Sequence, residues 1–339
     1  MKIGIVSTWG IRCGIATYSA FLAQALIDQG DEVLILAENE DVLPNSIDPN
    51  FPGKNISSIQ CWSRNKGFRE KKEEGFNALE VIEKMKFDIL NIQHQFALFP
   101  SITELNGLAE TAKRYGALLY LTLHDVIPYQ SGPTEEYFRG LINLADKIIV
   151  HTPTCKNLLL SAWQCPPEKI SLVYHGTKLV DVPTKVEARK KLKLAMDKQI
   201  VLSYGFVWES KGLEGILSAV AYLKNNGFPN LTYIHAGGPH PAFPYPEYMK
   251  KLIKTAIRLK LTPGDFIITG FIDDDKLVQY FGACDVIVLN YARGSASASG
   301  AAHRSLSAGK PIIGSDDACI CEIPKLEFPK FDTTALCGL

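Results

Sequence analysis

Short runs dense in Ile, Val and Leu alternate along the whole chain with longer amphipathic stretches, and no other feature limits the fold so tightly. Lys2–Val6, Glu32–Ala37, Asp88–Gln93, Ala117–Leu123, Lys147–His151 and Ile170–Tyr174 read as strands. A second series follows: Gln199–Tyr204, Leu231–Ala236, Asp265–Thr269, Asp285–Leu289 and Pro311–Gly314. Between them the apolar spacing predicts helices, among them Ile15–Gln29, Thr103–Tyr115, Gly212–Asn226, Glu247–Leu259, Asp274–Gly282 and Gly300–Ala308. Near-continuous apolar strands are buried on both faces, and strands separated by helices pair in parallel. The expected class is α/β, with doubly wound parallel sheets. At 339 residues the chain exceeds one ordinary core and suits two. The rhythm breaks over Gly176–Lys198, a polar stretch with Pro183 and the cations Lys185, Arg189, Lys190, Lys191 and Lys193. The linker is expected around Thr177–Thr184, giving domains 1–178 and 179–339.

Polar and glycine-rich residues gather where the strands end. Ser7-Thr8-Trp9-Gly10, Gln93-His94-Gln95, His124-Asp125, His151-Thr152, His175-Gly176, Gly205, Gly237-Gly238-Pro239-His240, Gly270 and Asn290-Tyr291 all follow strands. Ligands of open α/β sheets bind outside the carboxyl ends of strands, so both sheets are expected to turn these edges toward one shared cleft. Two of the segments read as strand, tight turn and helix: Trp9 to Tyr18, and Gly205-Phe206-Val207-Trp208-Glu209-Ser210-Lys211-Gly212. A helix start offers unpaired N–H groups and the positive end of the helix dipole, which suits an anion.

Each chemistry-bearing segment also has a plainer reading. Lys211 is a phosphate clamp or a surface lysine. Ser295 to Arg304 is a small-residue loop that lets amides approach a ligand, with Ser299 as N-cap, or simply a loop and cap. His303 and Arg304 fall in the following first turn, where cations oppose the dipole unless an anion sits there. His124 ends a very apolar strand, where a histidine can hold a sugar or serve a fold-stabilising hydrogen bond. His94 stands in the same position, and His235, inside a strand, reads as a core histidine. Asp273-Asp274-Asp275 contains a D-x-D spacing that can hold a divalent ion, but helix capping explains it better. Lys250, Lys254 and Arg258 share one helix stripe that suits anionic lipid, but a solvated face explains it better. The charge-rich run Arg64–Glu74 reads as a solvated helix start or an insertion.

Lys plus Arg and Asp plus Glu balance at 36 each, so no net field recruits nucleic acid. The 8 cysteines include no C-x-x-C pair and read as reduced core thiols in a cytoplasmic protein. A strand begins within two residues of Met1, which leaves no room for a signal peptide. No run approaches the ~20 apolar residues of a bilayer span. The phosphate-loop, zinc-protease and nucleophile-elbow motifs are absent from the sequence.

The order and spacing of Arg12-Cys13-Gly14-Ile15-Ala16-Thr17-Tyr18, Gln93-His94-Gln95-Phe96, Thr122 to Pro128, His175-Gly176, Gly205 to Gly212, Gly237 to Pro241, Ser299-Gly300-Ala301 and Ala308-Gly309-Lys310-Pro311 resemble the GT-B-fold enzymes of glycosyltransferase family 4. The resemblance runs over nearly the whole chain. It implies two Rossmann-like domains facing a central cleft, acceptor side first and donor side second. It implies retaining transfer from a UDP- or GDP-sugar to a glycan, lipid-linked or small-molecule acceptor, as in polysaccharide biosynthesis, without an obligatory metal or other cofactor. It further implies a cytoplasmic enzyme, peripheral at the inner face of the membrane. By the same resemblance His124 and Lys211 are the catalytic residues, with His124 on the transferring sugar. Lys211 and the amides around Ser299, Gly300 and Ala301 hold the diphosphate, with His303 and Arg304 beside them. Gly14 admits the donor phosphate or the acceptor, Gly205 and Gly238 lie on the donor, and main chain at Phe271 and Ile272 meets the base. Arg12, Cys13, His94 and Asp125 lie on the acceptor side.

The chain departs from the family in three places. Phe206 stands where relatives often have arginine. Ala296 and Arg304 stand where many carry glutamates, the second of which grips the ribose. The sequence stops at Asp332 to Leu339, where relatives continue into closing helices. An inactive GT-B binding protein and a nucleotide-sugar epimerase or hydrolase are the alternative readings on the same fold.

Overall fold

The computed structural model describes residues 1–39, 46–64, 67–69, 75–96, 98–99, 102–128, 132–240, 245–292, 294 and 298–323. The chain divides into two compact units, Met1–His175 and Gly176–Leu339.

The first unit is built on β1 (Lys2–Ser7), β2 (Glu32–Glu38), β3 (Ser58–Trp62), β4 (Ile89–His94), β5 (Leu118–Leu123), β6 (Lys147–Val150) and β7 (Ile170–Leu172). Its helices are α1 (Gly14–Asp28), α2 (Ala78–Met85), α3 (Ile102–Arg114), α4 (Pro133–Leu144) and α5 (Pro153–Ser161). The strands form one parallel sheet in the order β3-β2-β1-β4-β5-β6-β7. Ile3, Ile5 and Ile35 pack on one face, and Val6, Leu36, Leu90 and Ile92 on the other, as strands covered on both sides require. Local signals start the helices: Asn77 and Glu80 close a capping box on α2, and Thr152 caps α5 ahead of Pro153.

Strand β3 was not foreseen. It is a five-residue edge strand with polar Ser58 and Gln60, too short for periodicity to reveal. Tertiary contacts hold it: Trp62 is fully buried, and its indole N–H donates to Leu36 O at 2.8 Å. Of the charged patch, Arg64 is not solvated but locked on Glu38 by a two-pronged ion pair at 2.5 and 2.6 Å. Residues 65–66 and 70–74 of that patch lie outside the described residues.

The second unit contains α6 (Lys185–Leu192), β8 (Gln199–Tyr204), α7 (Leu213–Asn225), β9 (Leu231–Ala236), α8 (Pro246–Arg258) and β10 (Phe266–Ile268). It continues through α9 (Asp274–Ala283), β11 (Val286–Leu289), α10 (Gly300–Leu306), β12 (Ile312–Gly314) and α11 (Ala318–Cys321). Its parallel sheet runs β10-β9-β8-β11-β12. Asp273 caps α9 by accepting the Lys276 N–H at 2.8 Å, the capping role expected of the Asp273 run.

The lysine-rich stretch after the linker corrects the sequence reading. It folds into α6, opened by a Thr184–Glu187 capping box and packed on α9. Gly282 permits that packing, since a Cβ there would lie 2.6 Å from Pro183 O. Arg189, one of the cations of that polar stretch, is fully buried. Its guanidinium donates to the carbonyls of Ala283, Ala195, Met196 and Lys198 and to Asp285 Oδ2. Cys13, Cys61, Cys155, Cys165, Cys284, Cys319 and Cys321 are free thiols; Cys337 lies outside the described residues.

Candidate functional site

Parallel strands put all their carboxyl ends on one edge of a sheet, so each unit has a single edge where its loops converge. In the first unit α1 follows β1 through Trp9 to Cys13. Cys13 is the N-cap at φ −144°, with no side-chain cap bond and no acid in the first turn. Gly14 is exposed, with open space where a Cβ would point. The first N–H groups of α1 thus lack intrahelical partners. Arg12 anchors the turn by donating its N–H to Ser46 O at 2.7 Å, and Thr8 Oγ1 donates to Cys13 Sγ at 3.6 Å.

His124 emerges half-buried from β5. Its Nε2–H donates to Gln93 Oε1 at 2.8 Å, the Gln93 amide donates to Asn91 Oδ1 at 2.5 Å, and the Asn91 amide donates to Thr122 Oγ1 at 3.1 Å. The chain of amides fixes both the ring and its tautomer, leaving Nδ1 as acceptor. Tyr18, from the second turn of α1, meets the His124 ring edge-on at 4.9 Å. His151 and His175, from the ends of β6 and β7, lie 5.2 and 4.9 Å from the same tyrosine ring. Burial, then the neighbouring His151 and His175, push His124 well below the usual imidazole range, so it is neutral. His151 donates Nδ1–H to Val173 O at 2.8 Å.

Asp125 accepts the Phe96 N–H at 3.1 Å, and burial raises its carboxyl to about 6. His94 is placed differently from the acceptor-side position expected of it. It is fully buried among Phe96, Phe99 and Phe138, with Nε2 bonded to Tyr137 Oη at 2.8 Å, and burial lowers it to about 3. It is a core histidine beneath the edge.

The second unit's edge begins at Gly205, whose φ of +108° admits glycine alone without strain. Val207 donates its N–H to Gly238 O at 2.9 Å, joining the turns after β8 and β9. A Cβ on Gly238 would lie 3.1 Å from Phe271 N, so the β10 turn packs directly against it. Phe271 projects outward, 42% exposed, while Ile272 packs against the core. His235 underlies these turns as the expected core histidine. It donates Nε2–H to Gly205 O at 3.0 Å and accepts from Ser203 at Nδ1 at 2.7 Å; burial lowers it to about 4.

Lys211 ends a 3-10 turn, Glu209–Lys211, before the left-handed Gly212 that opens α7. A Cβ at Gly212 would strike Asn290 O at 2.2 Å. That close approach seats the lysine turn on the end of β11, where Asn290 donates its amide to Gly212 O and Ala292 donates its N–H to Ser210 O. The ammonium lies 3.7 Å from the Tyr291 ring centroid. Burial lowers Lys211 to about 8, with Cys319 and Asp317 partly opposing it. Ser299 caps α10 as expected, accepting the Ala302 N–H at 3.1 Å, so the N–H groups of Gly300 and Ala301 precede the first intrahelical bond.

His303 and Arg304 are used otherwise than the sequence suggested. His303 is buried, its Nδ1–H donating to Ser299 O at 2.9 Å. Arg304 turns away to pair with Asp274 Oδ1 at 2.8 Å. Sequence reasoning missed Tyr18 and Asp317 as site neighbours and singled out no role for Tyr291. Tyr291 and Asp317 both follow strand ends, the one signal that could have flagged them. Ala296 and Pro241 lie outside the described residues. Among the described residues, no three His, Cys, Asp or Glu side chains converge to hold a metal ion.

Residues 13–180 match the model of Glycosyltransferase Family 4, and residues 184–331 match that of Glycosyl transferases group 1. Anabaena HepE, solved in complex with UDP-glucose, superimposes with a TM-score of 0.70 at 18% identity, over 98% of this chain and 85% of that one. Sucrose-phosphate synthase from Thermosynechococcus elongatus gives 0.73 at 18% identity, over 100% and 88%. A glycosyltransferase from Rickettsia africae gives 0.74 at 15% identity, over 99% and 86%.

Proposed function

The chain belongs to the glycosyltransferases that join a Glycosyltransferase Family 4 half to a Glycosyl transferases group 1 half on the GT-B fold, and on that footing we propose that it moves a hexose from a UDP-sugar to a glycan, lipid-linked or small-molecule acceptor, with retention and without a metal. The observation that carries this reading is the Lys211 ammonium, held at the carboxyl edge of the second sheet next to a strand end and a freshly capped helix. A diphosphate leaving group needs its charge balanced as the glycosidic bond breaks, and one ammonium with oriented amides supplies that without divalent ions. The Anabaena relative's UDP-glucose supports a uridine donor.

The second unit takes the nucleotide: Lys211 and the Gly300 and Ala301 amides on the diphosphate, Gly205 and Gly238 beneath it, and main chain at Phe271 and Ile272 on the base. Arg304, committed to Asp274, leaves no glutamate for the ribose at that position. The first unit takes the sugar and acceptor. His124, neutral and held by Gln93, presents an accepting Nδ1 to a sugar hydroxyl. Gly14 gives room at the start of α1, with Arg12, Cys13 and Asp125 nearby.

The acceptor reading extends to a membrane-facing surface on α8. Ile253 and Ile257 stand 50% and 69% exposed there, beside a surface hollow of about 350 Å³ lined by Glu247, Lys250, Lys251, Lys254, Thr255 and Arg258, with Lys250 paired to Glu247 and Lys251 to Glu214. Among the described residues no helix is long and apolar enough to cross a membrane.

Isothermal titration of UDP into wild type and Lys211→Ala, followed by UDP release from a panel of UDP-sugars with and without acceptors, tests the assignment. Lysine-dependent UDP binding and acceptor-dependent release support transfer. Equal UDP affinity in the two proteins refutes it.

A further inference from the structure

We propose that Tyr291 is the positioning residue for the Lys211 ammonium, its ring face holding the charge where the diphosphate arrives, a role that rests on the assignment of Lys211 given above. The ammonium lies 3.7 Å from the ring centroid, well inside cation–π range. Tyr291 is buried, so water does not compete for the ring face.

The ring is itself fixed. Its hydroxyl hydrogen-bonds Ser299 Oγ at 2.9 Å, and that same Ser299 oxygen accepts the Ala302 N–H. On either side of Tyr291 in sequence, Asn290 bonds Gly212 O and Ala292 bonds Ser210 O, each at 2.9 Å. The lysine's turn and the tyrosine's strand end are therefore one tied piece, and the ring cannot drift from the ammonium without breaking both ties.

A lysine carries several rotamers that binding must freeze. A cation already parked on a buried ring has lost most of that freedom before the ligand arrives, so less affinity is spent in ordering it. The ring face also favours the charged over the neutral amine, opposing the burial that lowers Lys211. Tyr291 thus keeps a half-buried lysine both charged and aimed.

The test replaces Tyr291 by phenylalanine and then by mono-, di- and trifluorophenylalanine in the full chain. Fluorination drains the ring face of negative potential with little change in shape. UDP affinity is measured by titration calorimetry from pH 7 to pH 9.5. Tyr291→Phe keeps the ring and is expected within about 3-fold of wild type. Across the fluorinated series affinity falls stepwise, roughly 3- to 30-fold in all, and the pH at which affinity is lost moves downward. In a Lys211→Ala background the series has no effect. A flat series, or one that costs as much without Lys211 as with it, overturns the role of Tyr291 while UDP binding by wild type stands. UDP binding that never depended on Lys211 removes the donor-site reading itself, and this role with it.

Discussion

The Nε2–H of His124 donates to the Oε1 of Gln93 at 2.8 Å, and that one bond decides which imidazole nitrogen carries the proton and which is left to accept. Gln93 cannot turn its amide around, because its own N–H is taken by Asn91 Oδ1. His124→Ala should leave UDP affinity within about 2-fold of wild type, since the proposed function gives the nucleotide to the other unit. UDP release from the donor sugar should fall by about 100-fold. Gln93→Ala should give a smaller loss, about 10-fold, through a ring free to turn. Loss of UDP affinity in His124→Ala would place the histidine on the nucleotide instead.

Lys211 should impose an alkaline limit on donor binding. Its ammonium, lowered by burial to about 8, loses its proton as pH rises through that value, and affinity for UDP falls with it. Lys211→Ala should bind roughly 10- to 100-fold more weakly at pH 7 and lose that alkaline dependence. The ligand-free protein should respond in the opposite sense. Between about pH 8 and the usual lysine value the unfolded chain binds the extra proton, so this group's contribution to stability rises with pH there. Calorimetry of binding and thermal melts across that window read the two signs separately.

Buried Arg189 and half-buried Asp285 form an anchor of the second unit. Burial works against the Asp285 carboxylate, but Lys185, the Ile200 N–H and Arg189 hold it below its usual range. Its stabilising contribution is complete above the ordinary carboxylate range and disappears as pH falls through the depressed value. Arg189→Ala should cost about 3–5 kcal/mol, because it strands several carbonyls and leaves a cavity in the α6–α9 seam. Urea unfolding should show the loss in the second unit's transition alone; equal loss in both units would contradict it.

The α8 surface should bind anionic vesicles in a salt-sensitive way. Each lysine near such a surface contributes about 1 kcal/mol. Lys254→Glu with Arg258→Glu should abolish co-sedimentation with phosphatidylglycerol vesicles at low salt, and Ile257→Ser should weaken it, both without changing UDP affinity. Equal binding to neutral phosphatidylcholine vesicles would count against a charged lipid surface.

Most strands were legible because buried parallel strands are written in unbroken Ile, Val and Leu, and their period survives any packing partner. Strand β3 was not, because its place depends on Trp62 finding Leu36 O, a contact between residues far apart in sequence. The charge of α6 misled for a related reason. Its cations look alike in sequence, yet Lys190 and Lys191 face solvent while Arg189 points inward to carbonyls that only the folded chain gathers.

The candidate site divides in the same way. The chain by itself determined the two α/β units, the strand-end loops, the Ser299 and Asp273 caps and the lysine after the second glycine turn, because turns, caps and hydrophobic runs are local matters of φ, ψ and spacing. Tertiary structure alone decided which way two strand-end histidines look, His124 onto Gln93 and His94 into the core, whereas the core place of His235 was already legible from its position inside a strand. It alone drew Arg304 to Asp274 and set Tyr291 beneath Lys211. A side chain's charge and reach are written in its type, but its partner is whatever the packed neighbours leave within 3 or 4 Å.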